Sequence, residues 1–181
     1  VLLSKLLVKS NKLSIDEIHI HGKLEEKRMY TYIKELIRIS LNRNVKIHIG
    51  YLKNYEDLLK EFYKYAGVVV SASRCAETAA LYVFETFALG SLVLALRKPY
   101  GPYEYSLKIL TNTSEELAEL YIDVADKLYK YFVCGDQNHL IYGITKLVNG
   151  YFYGDMHKKA RTVAVDIIRQ NLDKAIKLVL D

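Results

Sequence analysis

Tryptophan is absent from the 181 residues, proline and cysteine occur only twice each, and glycine occurs nine times. With so little proline and glycine, and with 51% hydrophobic and 26% charged residues, the composition excludes collagen-like and disordered chains. The length is that of one ordinary domain. Cys75 and Cys134 are too far apart in sequence to form a metal-binding or redox pair, although a disulfide between them remains open. This cysteine usage favours a reducing, cytoplasmic setting.

Long apolar runs are also missing from the sequence. No stretch approaches the roughly 18 residues that a membrane helix requires, and the N-terminus lacks the pattern of a secretory signal. Lys and Arg outnumber Asp and Glu by 26 to 21, and the resulting net charge of +5 is spread along the chain, which indicates an anionic partner only weakly. A basic cluster makes the C-terminal helix a candidate for peripheral contact with an anionic membrane: Lys158, Lys159, Arg161 and Arg169.

The hydrophobic period alternates between that of a strand and that of a helix along most of the chain. Short apolar runs predict five strands, at 15–21, 45–49, 67–72, 91–96 and 107–110, the last at an edge of the sheet. Helical spacing predicts six helices, at 24–42, 54–66, 77–89, 113–132, 137–147 and 155–180. Because parallel strands need a crossover, which a helix provides, we expect an α/β fold: a Rossmann-like three-layer domain with a mostly parallel sheet. Ligands bind such sheets beyond the carboxyl ends of the strands.

The most informative segment runs from Ala66 to Leu96 and contains a strand, a polar loop, a helix, a glycine and a second strand. Glu77 falls at the predicted strand-to-helix turn, and Glu85 follows eight positions later, so both carboxylates would project from nearly one face of the helix. A helix start at this edge also offers backbone amides to an anion. Carboxylates placed there can accept hydrogen bonds from vicinal sugar hydroxyls. The alternative is a helix with a solvated glutamate at each end.

The stretch ETAALYVFETFALGSLVLA, residues 77–95, resembles the signature of retaining nucleotide-sugar glycosyltransferases of the GT-B fold, family four (glycosyl transferases group 1). Upstream, residues 45–73 are similar to the strand, glycine, helix and strand that precede this signature. YGPYE at 100–104 is similar to the family's Gly-Gly-x-x-Glu loop. The resemblance covers roughly residues 16–130, and its specific part matches by position at Glu77, Leu81, Glu85, Ala88, Gly90, Val93 and Ala95.

This resemblance implies a transferase of the hexosyltransferase type that moves a sugar from a nucleotide diphosphate sugar to an acceptor hydroxyl, with retention. Glu77 is the implied catalytic position, where it contacts hydroxyls of the donor sugar, and Glu85 is implied to contact the ribose. The donor would be a UDP-, GDP- or ADP-sugar, and the acceptor a glycan, a lipid or a protein. The family implies no cofactor and usually no bound metal.

Further donor-binding positions follow from the same resemblance and from the predicted ligand edge. The backbone amides of Thr78, Ala79, Ala80 and Leu81 would hold the diphosphate or the sugar. The loop after the second strand, with Tyr51 and Leu52, would flank the nucleobase, and Arg74 lies in the ligand-side loop as a candidate for phosphate contact.

The sequence also departs from the family. Thr78 and Ala80 replace the expected glycines, and Leu92 stands where the family has proline. The family's preceding strand, with its Arg and Lys, and its N-terminal acceptor domain are not found. We therefore expect residues 1–181 to form a single donor-binding domain that is inactive in isolation, with an N-terminal GT-B domain supplied in cis or in trans. The alternative is a non-catalytic nucleotide-sugar-binding or protein-interaction module of the same fold.

Two other site types are considered from the residues. His19, His21 and His48 raise the question of a zinc site, but if Gly22 and Gly50 are in register, His48 points away from the other two, so we expect no metal site. Sixteen tyrosines with interleaved lysines raise the question of nucleic-acid stacking. Packing in the predicted helices accounts for six of them, so we expect no nucleic-acid partner: Tyr30, Tyr32, Tyr63, Tyr65, Tyr129 and Tyr131.

Overall fold

The structure of the protein is a computed structural model, which describes residues 2–21, 27–50, 54, 56–57, 60, 67–71, 76–77, 80–98 and 100–180. The chain divides into two compact units, Val1–Lys60 and Glu61–Asp181. We call them the N-terminal unit and the C-terminal unit. Each unit contains one pair of parallel strands. The assignment of residues 1–181 to one donor-binding domain stays a prediction.

The N-terminal unit alternates helices and strands: α1 (Leu2–Ser10), β1 (Glu17–His21), α2 (Lys27–Leu41) and β2 (Lys46–Gly50). The two strands and α2 confirm the elements that the hydrophobic period predicts. Helix α1 packs on α2, and α2 packs on β2. The buried apolar side chains of this unit are Leu3, Val8, Ile33, Leu36 and Val45, and Ser40 of α2 is buried as well.

The register of the β1–β2 pair differs from the predicted one by one residue. His21 pairs with Gly50, and His19 with His48. The predicted pairing of Gly22 with Gly50 is wrong. Because side chains alternate between faces with a period of two, this difference brings His19 and His48 to the same face. The observed register keeps the isoleucines of both strands together on the other face, which the predicted register would not do: Ile18, Ile20, Ile47 and Ile49.

The C-terminal unit contains a second parallel pair, β3 (Val68–Ser71) and β4 (Leu92–Ala95), joined through α3 (Leu81–Ala88). Four more helices follow: α4 (Pro102–Thr111), α5 (Glu115–Cys134), α6 (Leu140–Tyr153) and α7 (Met156–Leu180). Strand β4 is buried along its whole length, because α3, α4 and α5 all pack against it. Helix α7 packs on α3, α4 and α6. The core of this unit therefore surrounds β4.

Residues 102–111 are helical, so the predicted edge strand at 107–110 is wrong. Pro102 occupies the first turn of α4, where its fixed φ favours a helix. The Glu104 carboxylate accepts a hydrogen bond from the Gly101 amide at 2.6 Å and closes the N-terminus of the helix. The buried side chains of α4 recur at helical spacing: Pro102, Tyr103, Ser106, Ile109 and Leu110.

Helices α5, α6 and α7 confirm the helical pattern predicted beyond residue 113. Ser114 caps α5 by accepting a hydrogen bond from the Leu117 amide at 3.5 Å, and Gly135 ends the helix in the left-handed conformation, with φ 74°. The predicted helix at 54–66 falls largely outside the described residues. Within the part of the chain that the structure describes, no helix has the length and apolarity needed to cross a membrane.

A mixed α/β fold with parallel strands is thus confirmed. The described strands form two separate pairs rather than one sheet, which is not a clear three-layer Rossmann-like arrangement. Strands β2 and β3 belong to different units.

Candidate functional site

The carboxyl ends of β3 and β4 form the edge at which a parallel sheet binds ligands. The segments that leave the two strands meet there, because the Glu77 amide donates a hydrogen bond to the Tyr100 carbonyl at 3.0 Å. We call this region the β3–β4 edge and define it by Ser71, Glu77, Tyr82, Tyr100 and Gly101. It joins the two segments that carry the sequence resemblance, 77–95 and 100–104.

Gly101 makes the close approach at this edge possible. Its φ is 135°, a backbone conformation that residues with a Cβ rarely adopt. A Cβ built at this position would lie 2.4 Å from the Glu77 carbonyl oxygen. The backbones of residues 77 and 101 can therefore come this close only because residue 101 is glycine.

The Glu77 side chain is half-buried beside the Tyr82 hydroxyl. Tyr82 Oη lies 2.6 Å from Ser71 Oγ, at the end of β3. Burial raises the pKa of Tyr82, the hydrogen bond from Ser71 opposes that rise, and the charge and hydrogen bond of Glu77 add to it. The Tyr82 hydroxyl is therefore in contact with Ser71 and lies close to the Glu77 carboxylate. An ionised carboxylate only accepts hydrogen bonds, so it can accept them from ligand hydroxyls.

Helix α3 begins at Leu81, with Ala80 as its N-cap, and not at Glu77. The prediction that Glu77 opens this helix is therefore wrong, and so is the argument that the spacing of eight places Glu77 and Glu85 on one helical face. The reason lies in the backbone of the N-cap: Ala80 has φ −73° and ψ 61°, which is not a helical conformation, so the helix does not run back through it to residue 77. At the other end of α3, Gly90 has φ 85° and ends the helix as predicted.

Glu85 is half-exposed on α3, one turn after Leu81, whose side chain is 63% exposed. The opposite side of α3 is buried through Val83, Phe84 and Phe87. Glu85 therefore lies on the accessible side of the helix. Ala80 is buried and is the N-cap of α3, which begins at Leu81. The first backbone amides of an α-helix have no hydrogen-bond partner within the helix itself.

Five of the predicted donor-binding residues lie outside the described residues: Tyr51, Leu52, Arg74, Thr78 and Ala79. Cys75 lies outside them as well. Cys134 is a free, exposed cysteine at the end of α5, where its Sγ contacts the Lys130 carbonyl at 3.0 Å.

Arg97 follows β4 at the same carboxyl edge. Its Nη1 donates to both carboxylate oxygens of Asp126 on α5, at 2.7 and 2.5 Å. This hydrogen bond and the charge of Asp126 raise the pKa of Arg97. The side chain is half-exposed, so a cation is present at the edge and is held by a neighbouring carboxylate.

Tyr82 and Ser71 were missed in the sequence. The available signal was weak: Ser71 is the polar end of an apolar strand, and Tyr82 directly follows a matched position. The explanation of the tyrosines by packing is also wrong in part, because Tyr30, Tyr32 and Tyr129 are exposed on their helices.

Comparison with known proteins identifies no relative of this chain: no family model matches it, and no curated protein and no solved structure matches it either.

Proposed function

We propose that the C-terminal unit binds a nucleotide diphosphate sugar at the β3–β4 edge and serves as the donor-binding half of a retaining glycosyltransferase of the GT-B fold. The observation that carries this proposal is the hydrogen bond from the Glu77 amide to the Tyr100 carbonyl, packed against Gly101. It joins the two segments that resemble the family at the edge where parallel sheets bind ligands. Under this proposal, the donor-binding unit belongs to a three-layer Rossmann-like domain that forms one half of a GT-B enzyme.

The chemistry of the edge suits a sugar. Glu77 is a half-buried carboxylate close to the Tyr82 hydroxyl, and carboxylates accept charge-assisted hydrogen bonds from vicinal hydroxyls. Glu85 lies on the accessible side of α3, where it would accept hydrogen bonds from the ribose. Backbone amides at residues 78–81 would face the diphosphate, with Arg74 as an additional cation and with Tyr51 and Leu52 beside the nucleobase.

The reaction would be the transfer of a hexose from the nucleotide diphosphate sugar to a hydroxyl of a glycan, lipid or protein, with retention. Glu77 would hold the donor sugar while the amides stabilise the charge that develops on the leaving diphosphate. An acceptor-binding domain, in cis or in trans, would complete the cleft. No metal ion and no cofactor is needed for this scheme.

Calorimetric titration of the chain with UDP-, GDP- and ADP-sugars tests the proposal. We expect one of these donors to bind, and we expect Glu85→Gln and Glu77→Gln each to weaken its binding about 10- to 150-fold, the equivalent of about 1.5–3 kcal/mol for a hydrogen bond to a charged group. Glu119→Gln is the matched control, because Glu119 is an exposed glutamate on α5. If none of the donors binds, or if the site variants bind as the control does, the assignment is wrong.

A non-catalytic binding module is the second candidate, and one observation favours it. Ala80 is buried at the start of α3, where the family has a glycine, so its Cβ occupies space that would otherwise let a phosphate approach the backbone. Release of nucleoside diphosphate from a bound donor, assayed with an added GT-B acceptor domain, separates the candidates. Donor binding without sugar transfer supports the module, and transfer supports the enzyme.

A further inference from the structure

Three polar side chains lie together on one face of the β1–β2 pair. The register predicted from the sequence, with Gly22 opposite Gly50, would have separated them. Glu17 and His19 project from β1, and His48 projects from β2 on the same face. Their possible ligand atoms all lie within 4.8 Å of one another. From this cluster we infer a site for a divalent transition-metal ion of the zinc class, with Glu17, His19 and His48 as its protein ligands. It belongs to the N-terminal unit.

The distances in the cluster match those between the ligands of one ion. Glu17 Oε2 lies 3.1 Å from His19 Nε2 and 3.4 Å from His48 Nε2. Zinc bonds of about 2.0–2.1 Å with tetrahedral angles separate neighbouring donor atoms by about 3.4 Å. An ion can therefore bind between the two ring nitrogens and the carboxylate, in place of their present contacts, with little movement of the strands.

The imidazole rings need one adjustment. They are stacked, with centroids 4.4 Å apart and an interplanar angle of 15°, so their Nε2 lone pairs lie in nearly parallel planes and do not meet at one point. Rotation about χ2, which is a soft torsion for histidine, makes these lone pairs converge on one point. The parallel strands fix the two Cα positions opposite each other, so the ring rotation is the main rearrangement that binding requires.

The ligand set identifies the class of metal. Two imidazole nitrogens and one carboxylate oxygen suit zinc and its neighbours in the transition series, whereas calcium and magnesium prefer oxygen ligands alone. The His48 side chain is 48% exposed, so the site opens to solvent and water completes the coordination. Three protein ligands with an open position are typical of zinc sites that bind a further ligand.

Among the residues that the structure describes, Lys46 places a positive charge beside Glu17, which opposes a bound cation. Its Nζ lies 3.6 Å from Glu17 Oε1, which leaves Oε2 facing the histidines, and its side chain is 74% exposed. Solvent screens most of its charge at this exposure. Removal of that charge should strengthen metal binding by a factor of up to about ten, since a unit charge and a divalent ion about 6 Å apart in water interact by about the equivalent of a tenfold change before salt screening.

Zinc uptake by the untagged chain tests the inference. A Cys134→Ser background removes the exposed thiol as a competing ligand. We expect one zinc ion per chain by calorimetry and by equilibrium dialysis, with a Kd of about 10 µM or tighter. His48→Asn and Glu17→Gln should each weaken binding by about tenfold or more, and Lys46→Gln should tighten it. His139→Asn is the control, because His139 is exposed and belongs to the C-terminal unit.

Two further measurements keep the inference open to refutation. Circular dichroism of the metal-free variants shows whether the N-terminal unit still folds, and His48→Asn is the mildest change because that ring is the most exposed of the three. Visible absorption of the cobalt-loaded chain reports the number of ligands and should be lost in the same variants. Absence of uptake by the parent chain overturns the inference, and so does uptake that persists in folded His48→Asn and Glu17→Gln. Neither result depends on nucleotide-sugar binding at the β3–β4 edge.

Discussion

At the scale of single residues, Gly101 is the position on which the β3–β4 edge depends most directly. Its φ is 135°, and a Cβ added to it would lie 2.4 Å from the carbonyl oxygen of Glu77. Either feature alone disfavours residues other than glycine. If a side chain is added at position 101, the two features together force the backbone at residue 101 away from residue 77. Gly90 has the first feature without the second, since its φ is 85° and nothing lies within 4 Å of its Cβ position.

Gly101→Ala should therefore lower the free energy of unfolding by about 2–4 kcal/mol, whereas Gly90→Ala should lower it by about 1–2 kcal/mol, the cost of a left-handed conformation alone. Urea denaturation of both variants measures the difference. Because Gly101→Ala moves Glu77, it should also weaken donor binding more than Gly90→Ala does. Equal losses of stability in the two variants would contradict the clash with the Glu77 carbonyl.

At the scale of elements, two buried tyrosines link helices to the β4 region in different ways. Tyr151 on α6 donates a hydrogen bond to the Ser91 carbonyl, at the start of β4, at 3.2 Å. The Tyr121 hydroxyl on α5 lies near Ser106 and the Ala95 backbone, but among the described residues no partner meets hydrogen-bond geometry. Both side chains are fully buried, so they form a matched pair.

Tyr151→Phe should destabilise the C-terminal unit by about 1 kcal/mol, since it removes a buried hydrogen bond and leaves a carbonyl with one partner fewer. Tyr121→Phe should leave the free energy of unfolding unchanged or raise it, by up to about 1–3 kcal/mol, because it removes a buried hydroxyl that gains no hydrogen bond on folding. Thermal and urea denaturation of the two variants provide the comparison. A loss for Tyr121→Phe as large as that for Tyr151→Phe would show that the Tyr121 hydroxyl is bound to Ser106 or Ala95 after all.

The strand pairs show how element-level rules succeed and fail. Alternation in EIHIH and KIHIG predicts two strands, and both are present. The register was wrong because it was anchored on two glycines, whereas the pairing keeps four isoleucines on one face. Residues 102–111 show the converse case: the apolar run at 107–110 fits a strand, but Pro102 and Glu104 begin a helix before it.

At the scale of the whole molecule, two buried tyrosines, Tyr121 and Tyr151, make stability depend on alkaline pH. Burial raises the pKa of Tyr121 and of Tyr151 well above the ordinary tyrosine value of about 10. The neutral form is the one that the folded state favours. The stabilisation is therefore complete below the ordinary pKa and is lost as the pH rises from there through the raised values.

The free energy of unfolding of the C-terminal unit should fall above about pH 10 by about 1.4 kcal/mol per pH unit for each of these two tyrosines. Urea denaturation at a series of alkaline pH values measures the slope, and ultraviolet absorbance follows tyrosinate formation. Tyr121→Phe should halve the contribution of the pair. Tyr142→Phe is the control, because Tyr142 is exposed, and a slope that is unchanged by Tyr121→Phe would contradict the assignment.

The candidate site could be predicted from the sequence only in part. Glu77 and Glu85 were identified by their place in a strand–loop–helix segment and by the resemblance that this segment carries, and the β3–β4 edge by the alternation of strand and helix. The relation between the two glutamates could not be foreseen, since the non-helical backbone of Ala80 separates Glu77 from the helix, and Glu77 is instead hydrogen-bonded to Tyr100, 23 residues further on. Tyr82 became part of the site through its contact with Ser71 at the end of β3, which no local pattern encodes.

The sequence by itself determined the mixed α/β class, most helices and strands, and the glycines that end α3 and α5, because hydrophobic period and capping residues act over a few neighbouring positions. Tertiary structure alone decided which residues meet. It set the register of β1 and β2, which brings Glu17, His19 and His48 together, and it brought Gly101 against Glu77. Both outcomes depend on contacts between segments more than 20 residues apart. The energies of these contacts compete with local preferences, and the local sequence of either segment does not predict them.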